Sequence, residues 1–205
     1  GNFTFQTATD LALLLRSGAL PAPLSVVEER TVGPDLGQDS IDAGVLSLLI
    51  GFILVIVFMI IKYRFFGLIA NISLISNLLM LIGFLTLLEA TLTLPGIAGI
   101  VLTIGMAVDA NVLIFERIKE EIKINKSLYR AIELGYEKAL TSIIDANVTT
   151  FIAAIILFTL GSGPIKGFSV TLGVGIVTSV FTAIYLTRLL ISIYFGLKKP
   201  KDLKL

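Results

Sequence analysis

The residue whose type and surroundings most clearly indicate chemistry is Asp109, an aspartate inside an apolar stretch. The stretch covers residues 95–121, and its apolar part is long enough to cross a bilayer. A charged side chain at membrane depth costs at least about 2.5 kcal/mol, so it normally faces a bundle interior or a wet cavity and has a function there. A carboxyl group in such a place can bind and release protons. The sequence therefore predicts that Asp109 belongs to a proton relay.

Two more charged residues, Asp145 and Arg188, fall in the inner halves of apolar runs. Asp109 lies seven residues before Glu116, which is about 10 Å of helix, and Arg188 lies ten residues before Lys198, about 15 Å. Because antiparallel helices can bring three such groups to one level, we predict that they converge and that the arginine keeps one acid ionised while the other titrates. The alternative for Arg188 is that its long side chain reaches the inner headgroups.

The four residues Asp-Ala-Asn-Val occur at both acids and place an asparagine two positions after each. Since residues two apart point in different directions on a helix, each asparagine is expected to bond a neighbouring helix or a water. For the asparagines and threonines, hydrogen bonding between helices is as good an explanation as a role in transport. For each aspartate, the alternative to proton transfer is a neutral acid with a structural role. The supporting polar residues are Asn111, Asn147, Thr149 and Thr150.

The composition limits the possible chemistry. Of the 205 residues, 56% are hydrophobic and 15% are charged, and the mean hydropathy is +0.97, which is typical of a protein with several membrane spans. The chain has no Cys, His or Trp. Disulfides, thiol or imidazole catalysis and metal sites built from these ligands are therefore excluded. We predict a non-enzymatic membrane protein without cofactor or metal, in contact with the lipid bilayer and not with nucleic acid.

Five apolar runs are long enough to cross a hydrocarbon core of about 30 Å. Backbone groups in lipid have no water to bond, so each run must be a helix. The predicted fold is an all-α polytopic membrane protein with five transmembrane helices after a short extramembrane segment, residues 1–42. Within that segment, residues 10–17 are expected to be helical and residues 26–32 to form a strand. The predicted spans are 43–61, 66–88, 94–115, 143–160 and 168–197, followed by a basic tail, 198–205.

Lys and Arg in the connections predict the orientation, because positive residues accumulate on the cytoplasmic side. The connections after the first and third spans and the carboxyl-terminal tail hold most of them, whereas the other side has only Arg16, Arg30 and Lys166. The amino-terminal segment is therefore expected outside and the carboxyl terminus inside.

The long inner connection, residues 116–142, has apolar residues at helical spacing opposite mixed charges. It is predicted to lie along the membrane surface, with docking of a partner on its basic face as the alternative. In the third span, Gly96, Gly99 and Gly105 are predicted to permit close helix packing, because small residues are how helices approach each other in lipid.

Several stretches resemble the SecD branch of the SecD/SecF family of protein-export membrane proteins. IVLTIGMAVDANVLIFERIKEE follows Gly99 and resembles a transmembrane segment and loop of that branch, and LRSGALPAPL from Leu15 and RTVGPDLGQDSI from Arg30 resemble the segment joining its periplasmic domain to the membrane. DANVTT from Asp145 and TRL from Thr187 also match. The resemblance covers essentially the whole chain.

The resemblance implies that the five helices correspond to the second to sixth of an RND-type half, with a first span and most of a periplasmic domain missing from this sequence. It further implies a prokaryotic cytoplasmic membrane, SecF as the other half, association with the SecYEG channel and YajC, and a pull on preproteins driven by the proton motive force. Sodium is possible in place of the proton. By position, Asp109 matches the intramembrane acid of the family's proton path, and Arg188 is placed there by the pseudo-symmetry of the two halves.

Two other functions are left open by the residues. One is half of an RND-type proton-coupled exporter of small molecules or lipids, since the fold is shared. The other is a structural membrane module that holds a partner complex together, in which case Asp109 would be dispensable for secretion.

Overall fold

The computed structural model describes residues 4–16, 34–124 and 127–198, and those residues are helical apart from short links. The chain divides into two units, Gly1–Gly37 and Gln38–Leu205. The first contains helix α1, Phe5–Arg16, which begins earlier than predicted because the hydroxyl of Thr4 accepts a hydrogen bond from the backbone of Thr7 and caps the first turn. The predicted strand at 26–32 lies outside the described residues.

The membrane unit is built from long helices in an all-α arrangement, as predicted. Four helical stretches are long and apolar enough to cross a membrane: Gln38–Leu87, Leu94–Ile124, Leu128–Leu160 and Pro164–Leu197. The helices are α2 (Pro34–Leu87), α3 (Leu94–Ile124), α4 (Leu128–Leu160), α5 (Pro164–Phe181), a π-helical turn (Thr182–Leu186) and α6 (Thr187–Lys198).

A sharp break at Arg64 divides α2 into two helices and brings the number of crossing helices to the predicted five. Arg64 has φ 48° and ψ −114°, which is not helical. Just after it, a Cβ added at Gly67 would overlap the carbonyl oxygen of Met59. Only a glycine permits that approach of two backbones. The rings of Tyr63 and Phe66, on either side of the break, both pack against Phe115 of α3, with centroids 5.4 and 5.3 Å away.

The predicted inner connection, residues 116–142, consists of the ends of two spanning helices. α3 continues without a break to Ile124, and α4 begins at Leu128. A Cβ added at Gly135 of α4 would lie 2.6 Å from the side chain of Ile118, and Lys138 pairs with the buried Glu121 at 2.6 Å. The apolar periodicity in the connection thus marks the packed faces of a helical hairpin and not a separate amphipathic element.

α3 is the central helix of the unit, packed against α4 and α5. Half of the residues in its apolar stretch are buried inside the protein, compared with 11% of those in the apolar stretch of α4. Gly96 and Gly99 lie against Thr171 of α5, since a Cβ added at either would be 3.3 Å from that side chain. Gly105 differs from the packing prediction: it is exposed and a Cβ there would meet nothing within 4 Å, because it lies on the face of α3 turned away from α5.

Candidate functional site

Asp109 lies in the middle of α3 and lines a cavity of about 190 Å³ between α3 and α4. A water occupies about 30 Å³ of liquid, so the cavity has room for several. The carboxyl group is exposed to this space and forms no hydrogen bond or ion pair with any described residue. The residues around it are Met106, Ala110 and Leu113 of α3 and Ser142, Ile143, Ala146, Asn147 and Thr150 of α4.

Polar groups of α4 face Asp109 across the cavity. The amide nitrogen of Asn147 donates to the carbonyl of Ile143 at 2.8 Å, and the hydroxyl of Thr150 donates to that of Ala146 at 3.0 Å. These bonds leave the amide oxygen of Asn147 and the lone pairs of Thr150 available to water. No Lys or Arg is among the residues that line the cavity. The arrangement is a carboxyl group in a hydratable space, without a fixed counter-charge among the described residues.

Asn111 lies on the opposite side of α3 from this cavity and joins α3 to α6. Its amide oxygen lies 2.9 Å from the hydroxyl of Thr187, which donates to it, and its amide nitrogen donates to the carbonyl of Ala107 at 3.1 Å. Both Asn111 and Thr187 are fully buried. The expectation that this asparagine bonds a neighbouring helix is therefore met for Asn111, whereas Asn147 bonds its own helix.

The π-helical turn immediately precedes Thr187. Here the backbone N–H of Thr187 bonds the carbonyl of Thr182, five residues earlier, and the Thr187 hydroxyl also lies 3.1 Å from that carbonyl. A π-helical turn contains one residue more than an α-helical turn, so it changes the direction in which the following side chains point. Such turns occur often at functional sites. The turn thus aims Thr187 at Asn111, two residues from Asp109.

Asp145 and Thr149 lie on the exposed side of α4. Both are exposed, and so is Val148 beside them. Thr149 donates to the carbonyl of its own helix at Ala146, 2.8 Å away. Neither residue lines the cavity that contains Asp109.

Arg188 lies on α6 and faces the first turns of α4. Its guanidinium carbon is 5.8 Å from the centre of the Tyr136 ring, and it lines a different recess from the one that contains Asp109. No hydrogen bond or ion pair joins any two of Asp109, Asp145 and Arg188 in the described part of the chain. The described residues therefore do not bring the three into contact: Asp109 lines one cavity, Arg188 lines another recess and Asp145 lines neither.

Thr187 was not among the residues predicted for the site. The signal available was a hydroxyl beside Arg188 in an apolar run, but a threonine in such a run usually bonds its own helix. Ser142 was missed for a different reason: it lies at the end of the predicted connection, and only the straight continuation of α4 brings it to the cavity.

Comparison with known proteins gives consistent matches over nearly the whole chain. Residues 19–196 match the family model described as protein export membrane protein SecD/SecF, C-terminal. The chain is 60% identical over 202 residues to the protein translocase subunit SecD of Desulfurispirillum indicum, covering 97% of this chain and 39% of that protein. It is 56% identical over 205 residues to the subunit of the same name from Rickettsia prowazekii, covering 100% and 40%.

A solved structure is similar as well. The crystal structure of SecDF, a translocon-associated membrane protein from Thermus thermophilus, matches with a TM-score of 0.83 and 43% identity, over 98% of this chain and 28% of that one. The chain spans about two fifths of the length of the curated relatives it matches.

Proposed function

Because the chain belongs to the SecD/SecF family of protein-export membrane proteins, we propose that it forms the membrane part of an accessory subunit of the Sec export machinery. In this role it uses the proton motive force to promote preprotein translocation across the cytoplasmic membrane. The proposal concerns a whole subunit, whereas this chain spans about two fifths of the length of its curated relatives.

The observation that carries the proposal is the position of Asp109. Its carboxyl group is carried by a helix long and apolar enough to cross a membrane and lines a hydratable cavity, without a counter-charge among the described residues. Moving one charge through 100 mV supplies about 2.3 kcal/mol, so a few protons could drive a conformational cycle of a domain outside the membrane. Carboxyl, amide and hydroxyl oxygens are also ligands for a hard cation, so sodium is the second candidate for the coupling ion.

The proposed partners are SecF as the second half of the membrane domain, the SecYEG channel, YajC and the preprotein. An exposed face of α3 contains Leu102 and Gly105, with Asp109 at its edge beside the α4 cavity. It supports a second half, because no helix in the described part of the chain packs on Gly105. The name of the Thermus relative, which calls SecDF translocon-associated, supports the channel. By its distribution of Lys and Arg, the chain has its amino-terminal segment outside and its carboxyl terminus inside.

The experiment that tests the proposal compares Asp109→Asn with Asp145→Asn in the full-length protein, reconstituted with SecF and the channel. Both changes remove one ionisable group at nearly constant size, and each aspartate is the first residue of an Asp-Ala-Asn-Val tetrad. Preprotein translocation is measured with ATP alone and with an added proton gradient. Asp109→Asn should lose the gradient-stimulated part and keep ATP-driven initiation and complex assembly, whereas Asp145→Asn should keep both.

Undiminished stimulation in Asp109→Asn would contradict the proposal and show that ionisation of Asp109 is not needed for coupling. Loss of stimulation in Asp145→Asn alone would move the coupling site to the exposed side of α4.

A further inference from the structure

An apolar groove of about 520 Å³ lies between the first turns of α4 and the last turns of α6. It is separate from the cavity that contains Asp109. Its walls combine aliphatic and aromatic side chains with the polar groups of two serines, one tyrosine, one glutamate and one arginine. The lining residues are Ser127, Leu128, Tyr129, Ile132 and Glu133 from the α4 side and Arg188, Ile191, Ser192, Phe195 and Gly196 from the α6 side.

Arg188 is the charged residue of the groove that lacks a partner of opposite charge in the described part of the chain. It is exposed, and its guanidinium carbon lies 5.8 Å from the centre of the Tyr136 ring. Among the described residues that line the groove, the one acid is Glu133, and it is already paired with Arg130 at 2.8 Å. The groove therefore combines an apolar surface with an uncompensated guanidinium group.

Several contacts place the groove at the charged end of the bundle. Thr187 bonds Asn111 within the apolar part of α3. The guanidinium group of the next residue, Arg188, lies near Tyr136, which precedes the apolar run of α4 by seven residues. The Arg188 side chain thus extends along the bundle toward that end. Tyr194 of α6 stacks on Phe65, next to the break in α2, with ring centroids 4.0 Å apart. Other basic residues at this end are Lys62, Arg64, Arg130 and Lys198.

We propose that this groove binds an anionic phospholipid, with the phosphate on Arg188 and an acyl chain along Ile191 and Phe195. A guanidinium group offers paired N–H donors that match a phosphate, and basic pockets between helices at a membrane surface bind anionic headgroups. The carboxyl-terminal residues 199–205 are a poor alternative occupant, since they carry three Lys and one Asp. The inference depends on the membrane location of the helices and not on the export function.

The test uses the full-length protein with the photoreactive residue p-benzoylphenylalanine at Ser192, an exposed position in the groove. The protein is reconstituted in phosphatidylcholine vesicles that contain a small fraction of phosphatidylglycerol, with one or the other lipid radiolabelled. Irradiation should label the protein preferentially with phosphatidylglycerol. Arg188→Gln should reduce that labelling about fivefold, the effect of one basic residue near an anionic surface, and Arg188→Lys should retain part of it.

Two further variants distinguish lipid binding in the groove from a general effect of positive charge on lipid labelling. Arg117→Gln removes a basic residue at the same end of the bundle, but Arg117 lies outside the groove and is paired with Glu120. This change should therefore leave the labelling unaltered. Gly196→Leu should reduce labelling by filling the groove, because an added Cβ there meets nothing within 4 Å and the fold is preserved.

Labelling that does not distinguish the two lipids, or that is unchanged in Arg188→Gln, would overturn the proposal. A crosslink to a protein chain in place of lipid would also overturn it and would identify the groove as a subunit contact. None of these outcomes depends on translocation, so the proposal can fail while the export function stands.

Discussion

The two Asp-Ala-Asn-Val tetrads have the same residues but different surroundings. Asp109 lines a cavity and its companion Asn111 is buried against α6, whereas Asp145 is exposed and Asn147 bonds its own helix. The difference comes from the neighbours of each helix, since α3 is packed on several sides and α4 has a largely exposed face. A repeated motif therefore predicts which residues are polar but not which of them act together.

The hydrogen bond between Asn111 and Thr187 should measurably stabilise the contact between α3 and α6. Thr187→Val keeps the shape and removes the donor, which leaves a buried amide oxygen unsatisfied. In a double-mutant cycle with Asn111→Ala, we expect a coupling free energy of about 0.6 kcal/mol and at most about 1.7, the range for hydrogen bonds between membrane helices. The measurement is unfolding of the protein in mixed micelles by increasing denaturing detergent.

Thr159→Val is the matched control for this cycle, because the Thr159 hydroxyl is exposed and bonds carbonyls of its own helix. It should show no coupling to Asn111→Ala. A coupling free energy between Asn111 and Thr187 within error of zero would mean that packing alone holds α6 at this position.

At the scale of the helices, the break at Arg64 sets the angle between the two parts of α2. Gly67→Ala places a methyl group on the carbonyl oxygen of Met59. We expect it to lower the free energy of unfolding by about 1–3 kcal/mol, the usual cost of overpacking. Gly51→Ala, on the first part of α2, meets nothing within 4 Å and should be neutral or slightly stabilising. Equal stability of the two variants would show that the close approach at Gly67 is not required.

The sequence predicts the helices better than their ends. Hydropathy identified five crossing helices, and the basic pair Lys62 and Arg64 marked the break in α2. The observed helices α3 and α4 extend beyond the predicted spans 94–115 and 143–160. A helix that continues past its apolar stretch keeps apolar residues at helical spacing where it packs against another helix, so hydropathy alone does not mark its end. The π-helical turn has an ordinary apolar sequence, TAIYL. Its extra residue accompanies the contact of Thr187 with Asn111 of α3, and local sequence does not encode that contact.

The candidate site was predictable only in part for the same reason. Asp109 could be singled out because a carboxylate in an apolar run is costly wherever the helix packs. Arg188 could not be assigned, since a long side chain reaches several residues along its helix and its partner depends on the neighbouring helix. In the structure that neighbour is the beginning of α4, with Tyr136, and not the helix that carries Asp109.

At the scale of the whole molecule, the exposed face of α3 is the feature that one chain leaves unexplained. Leu102, Gly105 and Asp109 follow one another at helical spacing, and Leu102 is 47% exposed. A glycine with no neighbour within 4 Å contributes nothing to packing inside this chain, but it permits close approach of a helix from another chain. If SecF supplies that helix, Asp109 would lie at the contact between the two halves.

Gly105→Leu should therefore weaken assembly with SecF and leave this chain folded. The added side chain meets open space within the chain but would hold a partner helix away from α3. Recovery of SecF with the affinity-tagged full-length protein from membranes should fall severalfold, with unchanged detergent-unfolding behaviour of the tagged protein alone. Gly51→Leu, which also meets open space but lies on α2, should recover SecF normally. Normal recovery with Gly105→Leu would indicate that this face of α3 contacts lipid, and that a proton reaches Asp109 through the α4 cavity without a second half.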